Sequence, residues 1–273
     1  MSESSTTGRS TSPREVKSAG RTLEVLEFLA ARQNRPVRLR ELREALNVPR
    51  SSLHALLRTL VGHGWVRVDQ SGLLYTIGIR ALLAGTTYLD TDPCLPLVHP
   101  ILDELRDKLN ETFHFGRLDG TDIVFLATRE STQYVRQLNR VGRRLPAYTT
   151  SLGKSILASL SDDDLKAHLP DRLEPLTPNT ITDKDALAAD LEETRHRGYA
   201  IENQENAEGV TCFGVALQYA TPATDAISAS VPISRITPQR QDEIVAELRK
   251  AADKIDRVVG PMSHAMAWIS PTP

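Results

Sequence analysis

The stretch Leu39 to Thr76, LRELREALNVPRSSLHALLRTLVGHGWVRVDQSGLLYT, decides the fold. Leu39, Leu42 and Leu46 recur at helical spacing with Arg40, Arg43 and Glu44 between them, which predicts a helix. Asn47-Val48-Pro49 is expected to end it, because the residue before a proline is pushed out of the helical region. Ser51 or Ser52 suits the cap of a second helix. Its Leu53, Leu56, Leu57 and Leu60 form one apolar stripe. At about 100° per residue, Ser51, Ala55 and Arg58 point directly away from that stripe, flanked by Arg50, Ser52, His54 and Thr59. None of these carries a negative charge. Such a face suits a helix in the DNA major groove, where Arg reads guanine edges and Ser or Thr binds phosphate or base. An ordinary amphipathic helix with a solvated face has the same periodicity, so the next residues decide. Gly62 and Gly64 end the helix, Trp65 to Val68 alternates as a strand, Asp69-Gln70-Ser71-Gly72 turns, and Leu73 to Thr76 returns. A helix-turn-helix followed by a hairpin is a winged helix, and its wing, bearing Arg67, is expected to approach the phosphate backbone or minor groove.

The 273-residue length allows two domains, and 40% apolar with 25% charged residues fits a soluble globular protein. The net charge of −2 hides an asymmetry. Residues 1–80 hold 13 Lys and Arg against 7 Asp and Glu, a net of +6, while residues 81–273 carry −8. A basic small domain favours a polyanion, and an acidic remainder does not. No apolar run approaches the ~20 residues that span a membrane, and MSESSTTGRSTSPR lacks the apolar segment of a secretory signal. Cys94 and Cys212 have no metal-like spacing and fit a reducing cytoplasm. The expectation is a cytoplasmic protein with no metal and no cofactor.

Residues 1–14 read as a disordered tail, and Val16 to Arg32, with Leu23, Leu26 and Leu29 or Ala30 on one face, as the first helix of a DNA-binding domain over 15–77. Ile77 to Ala84 is apolar on most sides and is expected to open a linker helix over 78–92. It would pack against its own copy, since one recognition helix covers few base pairs and operators repeat by two-fold symmetry; burial on its own domain is the alternative. A second domain follows over 93–262, entered at Pro93 and Pro96. Val98, Ile101, Leu102, Leu105 and Leu109 predict a helix, and Thr112 to Leu118 and Thr121 to Thr128 predict strands around Asp119-Gly120. Gln133 to Leu138 reads as a third strand and Arg140 to Arg144 as a basic loop around Gly142. A helix from Ser151 to about Leu160 comes next, then one capped by Ser161, and one capped by Thr182 and ending at Arg197-Gly198. Tyr199 to Glu202, Val210 to Gln218 and Ala226 to Ile233 read as strands, and Pro238 starts a final helix through Val259, before a tail over 263–273. The class is α+β, an antiparallel sheet flanked by helices.

These residues resemble the IclR family of bacterial transcription regulators over about Val16 to Val259. In the first domain the likeness rests on Leu39-Arg-Glu-Leu, Val48-Pro-Arg-Ser-Ser-Leu, Leu56-Leu-Arg-Thr-Leu and Tyr75-Thr-Ile-Gly. In the second it rests on Leu145-Pro-Ala, the Ser151-Leu-Gly-Lys run, Thr177 to Thr180, Arg197-Gly-Tyr-Ala and Ile227-Ser-Ala-Ser-Val-Pro. The resemblance implies a winged helix-turn-helix, a linker helix and an effector domain like GAF and PAS folds. It implies homodimers or homotetramers that regulate catabolic operons, commonly for aromatic or small organic acids. Family members typically carry an Arg near the middle of the recognition helix; here His54-Ala55 stand there and Arg58 is the only mid-helix cation.

The resemblance also places a small molecule against the helix that opens at Ser151, Leu152 and Gly153. A helix start offers unpaired N–H groups and a positive dipole end to a carboxylate. Matching by segment adds Leu145, Tyr134, Gln137, Glu202 and Cys212. Ser228 and Ser230 share one sheet face and offer hydroxyls. The partners expected are therefore a double-stranded DNA operator, a small effector such as a carboxylic acid, and a second copy of the chain, with no membrane. Gly153-Lys154-Ser155 is not a phosphate loop, since position 148 is Tyr rather than the glycine that motif needs. Two other classes are an enzyme using Cys212 with His114 or His196, and a protein-interaction module with a degenerate helix-turn-helix.

Overall fold

The computed structural model describes residues 16–32, 35–136 and 140–262. The expected tails over 1–14 and 263–273, and Gln137, lie outside them. The chain divides into two compact units between Thr91 and Asp92.

In the first unit α1 (Lys17–Ala31), α2 (Leu39–Leu46) and α3 (Arg50–Gly62) enclose Val25, Leu29, Leu42, Leu53, Leu57 and Leu60. Three leucines of the α3 stripe are thus buried and the fourth, Leu56, is half-buried at its edge. The turn differs from expectation in two respects. Asn47 ends α2 by turning left-handed at φ 49°, a conformation its short polar side chain tolerates, so the break does not wait for the proline. Pro49 occupies the cap position of α3 with φ −56°, its carbonyl accepts from Leu53 N–H at 3.0 Å, and no side chain caps this helix. Ser51 and Ser52 lie inside the first turn instead; the ring's fixed φ already aims the chain into the helix.

The wing is as expected, with β2 (Val66–Val68) antiparallel to β3 (Leu74–Ile77) and Arg67 opposite Thr76. Its turn is organised by Asp69, whose carboxylate accepts from the Ser71 hydroxyl at 2.5 Å and from the Leu73 and Leu74 amides at 2.9 Å each. These bonds, the Ser71 hydroxyl foremost, hold its carboxyl down at about 2. A third strand, β1 (Val37–Arg38), pairs with the other edge of β3. Two residues are too few to show an alternation in sequence. The next helix, α4 (Ile79–Thr91), has no buried residue, so the alternative of a helix buried on its own domain is set aside. Ile79, Leu82, Leu83 and Tyr88 are all exposed on it.

The second unit begins with α5 (Leu95–Leu109) and builds one antiparallel sheet in the order β6-β5-β4-β9-β8-β7. Its strands are β4 (Thr112–Asp119), β5 (Asp122–Arg129), β6 (Arg144–Pro146), β7 (Ala200–Asn203), β8 (Val210–Ala216) and β9 (Asp225–Pro232). Between them come α6 (Ser151–Leu157), α7 (Asp162–Ala167) and α8 (Lys184–Arg197), and α9 (Pro238–Val259) closes the unit. Alternation gives the sheet two faces. Phe113, Phe115, Phe213 and Val231 share the face covered by α5 and α9. His114, Gly116, Cys212, Gly214, Ser228 and Ser230 share the face covered by α6.

The third strand expected over Gln133 to Leu138 does not form in its described part, 133–136. Asn110, left-handed at the end of α5, takes that chain instead. Its side-chain oxygen accepts from Thr132 N–H at 2.9 Å, and its carbonyl accepts from the Ser131 hydroxyl at 2.7 Å and from Gln133 Nε2 at 3.0 Å. Such local bonds compete with a ladder and here replace it. The edge beside β5 is β6, within what read as a basic loop and its flank, returned by Gly142 at φ 80°. The helix expected from Thr182 is capped by Asp183, which accepts from Ala186 N–H at 2.8 Å. Ser161 caps α7 and Gly198 ends α8, both as expected.

On the α5 face, Arg117 is buried between two carboxylates. It donates to both oxygens of Asp225 at 2.7 Å and to Asp92 at 2.6 Å. The other oxygen of Asp92 accepts from Cys94 and Leu95 N–H, starting α5, and Tyr219 donates its hydroxyl to Asp225.

Candidate functional site

In the first unit the outer face of α3 presents Arg50, Ser51, His54, Ala55, Arg58 and Thr59 to solvent, with Ser52 half-buried at its edge. Thr59 turns its hydroxyl back onto the Ala55 carbonyl at 3.1 Å, so that donor is already used within the helix. Arg67 is exposed on the wing. Between this face and the wing lies an open groove of about 480 Å³, lined by Arg38, Arg40 and Arg43 with Arg50, His54 and the wing residues Gly72, Leu73 and Tyr75. Among the described residues, Arg38, Arg43, Arg50, Arg58 and Arg67 have no ion pair, and Arg40 has only Glu44 at 3.3 Å. Uncompensated guanidinium groups on one face make a receptor for phosphate. Sequence reasoning missed Arg38, Arg40 and Arg43 as members of this face. Their signal was present, three cations at and along α2, but only the fold shows that α2 and the wing converge there.

In the second unit the polar residues of the α6 face meet beneath the first turn of α6. Two glycines allow the approach. A Cβ at Gly214 would lie 2.2 Å from the Ser151 carbonyl oxygen, and one at Gly153 would lie 2.1 Å from that of Ala147. The result is a cavity of about 30 Å³, the room of about one water molecule. Its walls include Leu145, Ser151 and Leu152 on one side and Glu202, Cys212, Ser228 and Ser230 on the other. These seven of the ten residues expected around an effector are brought together. His114, Phe125, Thr150, Asn206, Ala207 and Val210 complete the wall and were not among the ten. His114 was legible only through register, since it stands opposite Ser228 across β4 and β9.

Three expected residues are not there. Gln137 lies outside the described residues, and Tyr134 is 98% exposed on the segment that Asn110 diverts. Gly153 does not line the cavity, and its N–H is not unpaired; it donates to the Thr150 hydroxyl at 2.9 Å. This glycine is required by the backbone contact with Ala147, not by a ligand.

The cavity's electrostatics follow from burial. Glu202 is 2% exposed, and one of its oxygens accepts from Glu205 N–H at 2.5 Å and Asn206 N–H at 3.1 Å. Burial pushes its carboxyl above the usual range, partly offset by hydrogen bonds from Cys212 and these amides. Burial, and then the Glu202 charge, push the Cys212 thiol well up; its sulfur lies 3.2 Å from the Ser230 hydroxyl. His114 is held neutral, its imidazole lowered to about 3 by burial, with Nδ1 3.0 Å from the Thr128 hydroxyl. A thiol held protonated beside a carboxylate is the opposite of an activated nucleophile. His196 is exposed on α8 and lies 3.2 Å from Glu192. Lys154 is wholly buried, with its ammonium 2.6 Å from Glu205 and 3.0 Å from Asp190. It is the reverse of a phosphate-binding lysine, as it faces carboxylates inside the fold. Among the described residues no group of three or more metal-ligating side chains gathers.

A basic helix face with a wing, and a separate unit enclosing a polar cavity, define a DNA-binding transcription regulator with an effector-binding domain. The comparisons give the family. Residues 18–70 match the IclR helix-turn-helix domain, and residues 86–257 match the bacterial transcriptional regulator IclR C-terminal domain. The chain is 34% identical over 255 residues to the transcriptional repressor IclR of Escherichia coli K12, covering 91% of this chain and 92% of that one. It also resembles the crystal structure of a transcriptional regulator from Rhodococcus sp. RHA1, at 30% identity and a TM-score of 0.71, over 89% of this chain and 98% of that one. The Thermotoga maritima IclR structure matches at 28% identity and a TM-score of 0.66, over 90% and 100%. The chain belongs to the IclR family of transcription regulators. These relatives are regulators, not enzymes, which removes the reading built on Cys212. Among the described residues no helix is long and apolar enough to cross a membrane.

Proposed function

We propose that this regulator is a repressor of a catabolic operon, released or tightened by a small organic or aromatic acid bound in the cavity beneath α6. The observation that carries this reading is the convergence of Ser151, Glu202, Cys212, Ser228 and Ser230 on one cavity. The division of labour runs as a DNA-binding head over 15–77, a linker helix over 78–92 and an effector body over 93–262, in the cytoplasm. The protein works as a homodimer or a dimer of dimers, with the exposed apolar side chains of α4 packed on a second copy. Exposed Ile79, Leu82, Leu83 and Tyr88 on one helix suit burial against a partner. With room for only about one water, the cavity admits an acid only if a wall yields. A ligand that favours the opened arrangement then shifts the population, and the linker helix passes this to the two recognition helices.

The test couples two measurements on the full chain. A thermal-shift screen of aromatic and short-chain carboxylic acids should find compounds that raise the melting temperature, since a ligand selective for the folded state stabilises it. The same compounds should change a salt-sensitive gel shift with the chain's own promoter. Stabilisation without any effect on DNA binding refutes the regulatory reading; no stabilisation by any acid refutes the effector class.

A further inference from the structure

Among the described residues, the cavity's wall holds no cation. Glu202 is its one formally charged side chain, and His114 is neutral by burial. The charges that face Glu202 from each neighbouring element can be followed in turn. From β8, Cys212 presents a protonated thiol. The loop after β7 contributes Glu205, whose backbone N–H is bonded to Glu202 and whose carboxylate is engaged by Lys154. Lys154, from α6, is shared with Asp190 of α8, and Asp190 has Arg197 at 3.8 Å. Arg143 acts on His114 through its charge but is not among the lining residues. From β9 come only the hydroxyls of Ser228 and Ser230. The buried lysine is thus already committed to two carboxylates, and Glu202 is a third.

An ionised ligand carboxylate placed here would face the buried Glu202 carboxylate across a space with room for about one water molecule. Two carboxylates sharing one dry site cannot both stay ionised; one takes a proton. We propose that an acidic effector binds this regulator together with one proton drawn from solvent, which is shared between an oxygen of Glu202 and an oxygen of the ligand. No covalent bond breaks; the ligand enters as an anion, one proton follows, and the site gains no net charge. The hydroxyls of Ser228 and Ser230 donate to the ligand's remaining acceptor positions. The proposal rests on the effector site described above and adds the ionisation state that it selects. It also makes the site equally receptive to an uncharged carboxamide of the same shape.

Calorimetric titration of the full-length protein with benzoate and acetate, each beside its amide, tests this between pH 5.5 and 8.5. Run in two buffers of different ionisation enthalpy, the titrations count the protons taken up. The expected result, at pH above the Glu202 pKa, is an uptake approaching one proton per site for the acids, with Kd rising about tenfold per pH unit there, and no uptake for the amides. Glu202→Gln, which carries a permanent donor, should bind the acids with no uptake and a flat pH profile. Acid binding to the wild type with neither proton uptake nor weakening up to pH 8.5 overturns the proposal while leaving the effector site intact, and would mean that a cation such as Arg143 moves in to pair the ligand. If neither acids nor amides bind at any pH, the effector site itself is wrong and the proposal falls with it. The wild-type proton count decides the matter even if the Gln variant fails to fold.

Discussion

Replacing Arg117 by Met isolates the buried ion cluster at the start of the effector domain. The guanidinium bridges Asp225 and Asp92 by three short hydrogen bonds, and both carboxylate side chains are about 1% exposed. Methionine fills much of the same volume but leaves two buried carboxylates without their cation. Removing one partner of a buried pair costs about 3–5 kcal/mol, and one cation serving two anions points to the upper end, about 5 kcal/mol. For a domain of this size each kcal/mol is worth about 2–4 °C, so the melting temperature should fall by roughly 10–20 °C. Differential scanning calorimetry of the full chain, following the effector-domain transition, reads this directly. A triple variant that adds Asp92→Asn and Asp225→Asn removes the stranded charges, while the amide oxygen placed at position 92 can still accept from the first N–H groups of α5. It should recover at least half of the loss. A single variant that melts within about 2 °C of wild type would refute the reasoning. So would a triple variant no more stable than the single, because the cost would then come from packing rather than charge.

Arg58→Ala should weaken operator binding by roughly 5- to 150-fold, the range of one lost base contact, and leave effector binding unchanged. By contrast Arg43→Ala in the groove beside the wing should weaken operator and random duplex alike and lower the salt slope by about 0.9; a sequence-selective loss would move Arg43 to the base-reading set. The Asp69 carboxyl, held at about 2 against an ordinary 3.8, stabilises the wing turn fully above pH ~4 and loses that contribution as pH falls through 4 towards 2. An NMR titration of the Asp69 side chain with a midpoint near 4 would contradict the hydrogen-bonded turn. Leu83→Arg on the exposed face of α4 should raise the dimer dissociation constant measured by analytical ultracentrifugation, and an unchanged constant would exclude that face from the interface.

The head was readable because its signals are local. The leucine period of α3, Gly64 and Gly72 with φ of 75° and 73°, and the wing alternation each act within a few residues, and the buried Leu53, Leu57 and Leu60 lie on the stripe that spacing predicts. For the effector body, Ser228 and Ser230 fall on one face by the period of a strand. Residues from four distant segments make the cavity, however, and only strand register sets His114 opposite Ser228 and Cys212 opposite Ser230. Two misread positions of the effector body share a cause. Gly153 answers to the Ala147 carbonyl, and the chain after Ser131 answers to Asn110, so each is governed by a partner that periodicity cannot see. Short-range propensity and charge composition determined the class of protein, its two-part layout and the basic outer face of α3. Tertiary packing decided which polar groups are dry and which lysine is already neutralised. Desolvation depends on everything around a group, whatever its distance along the chain.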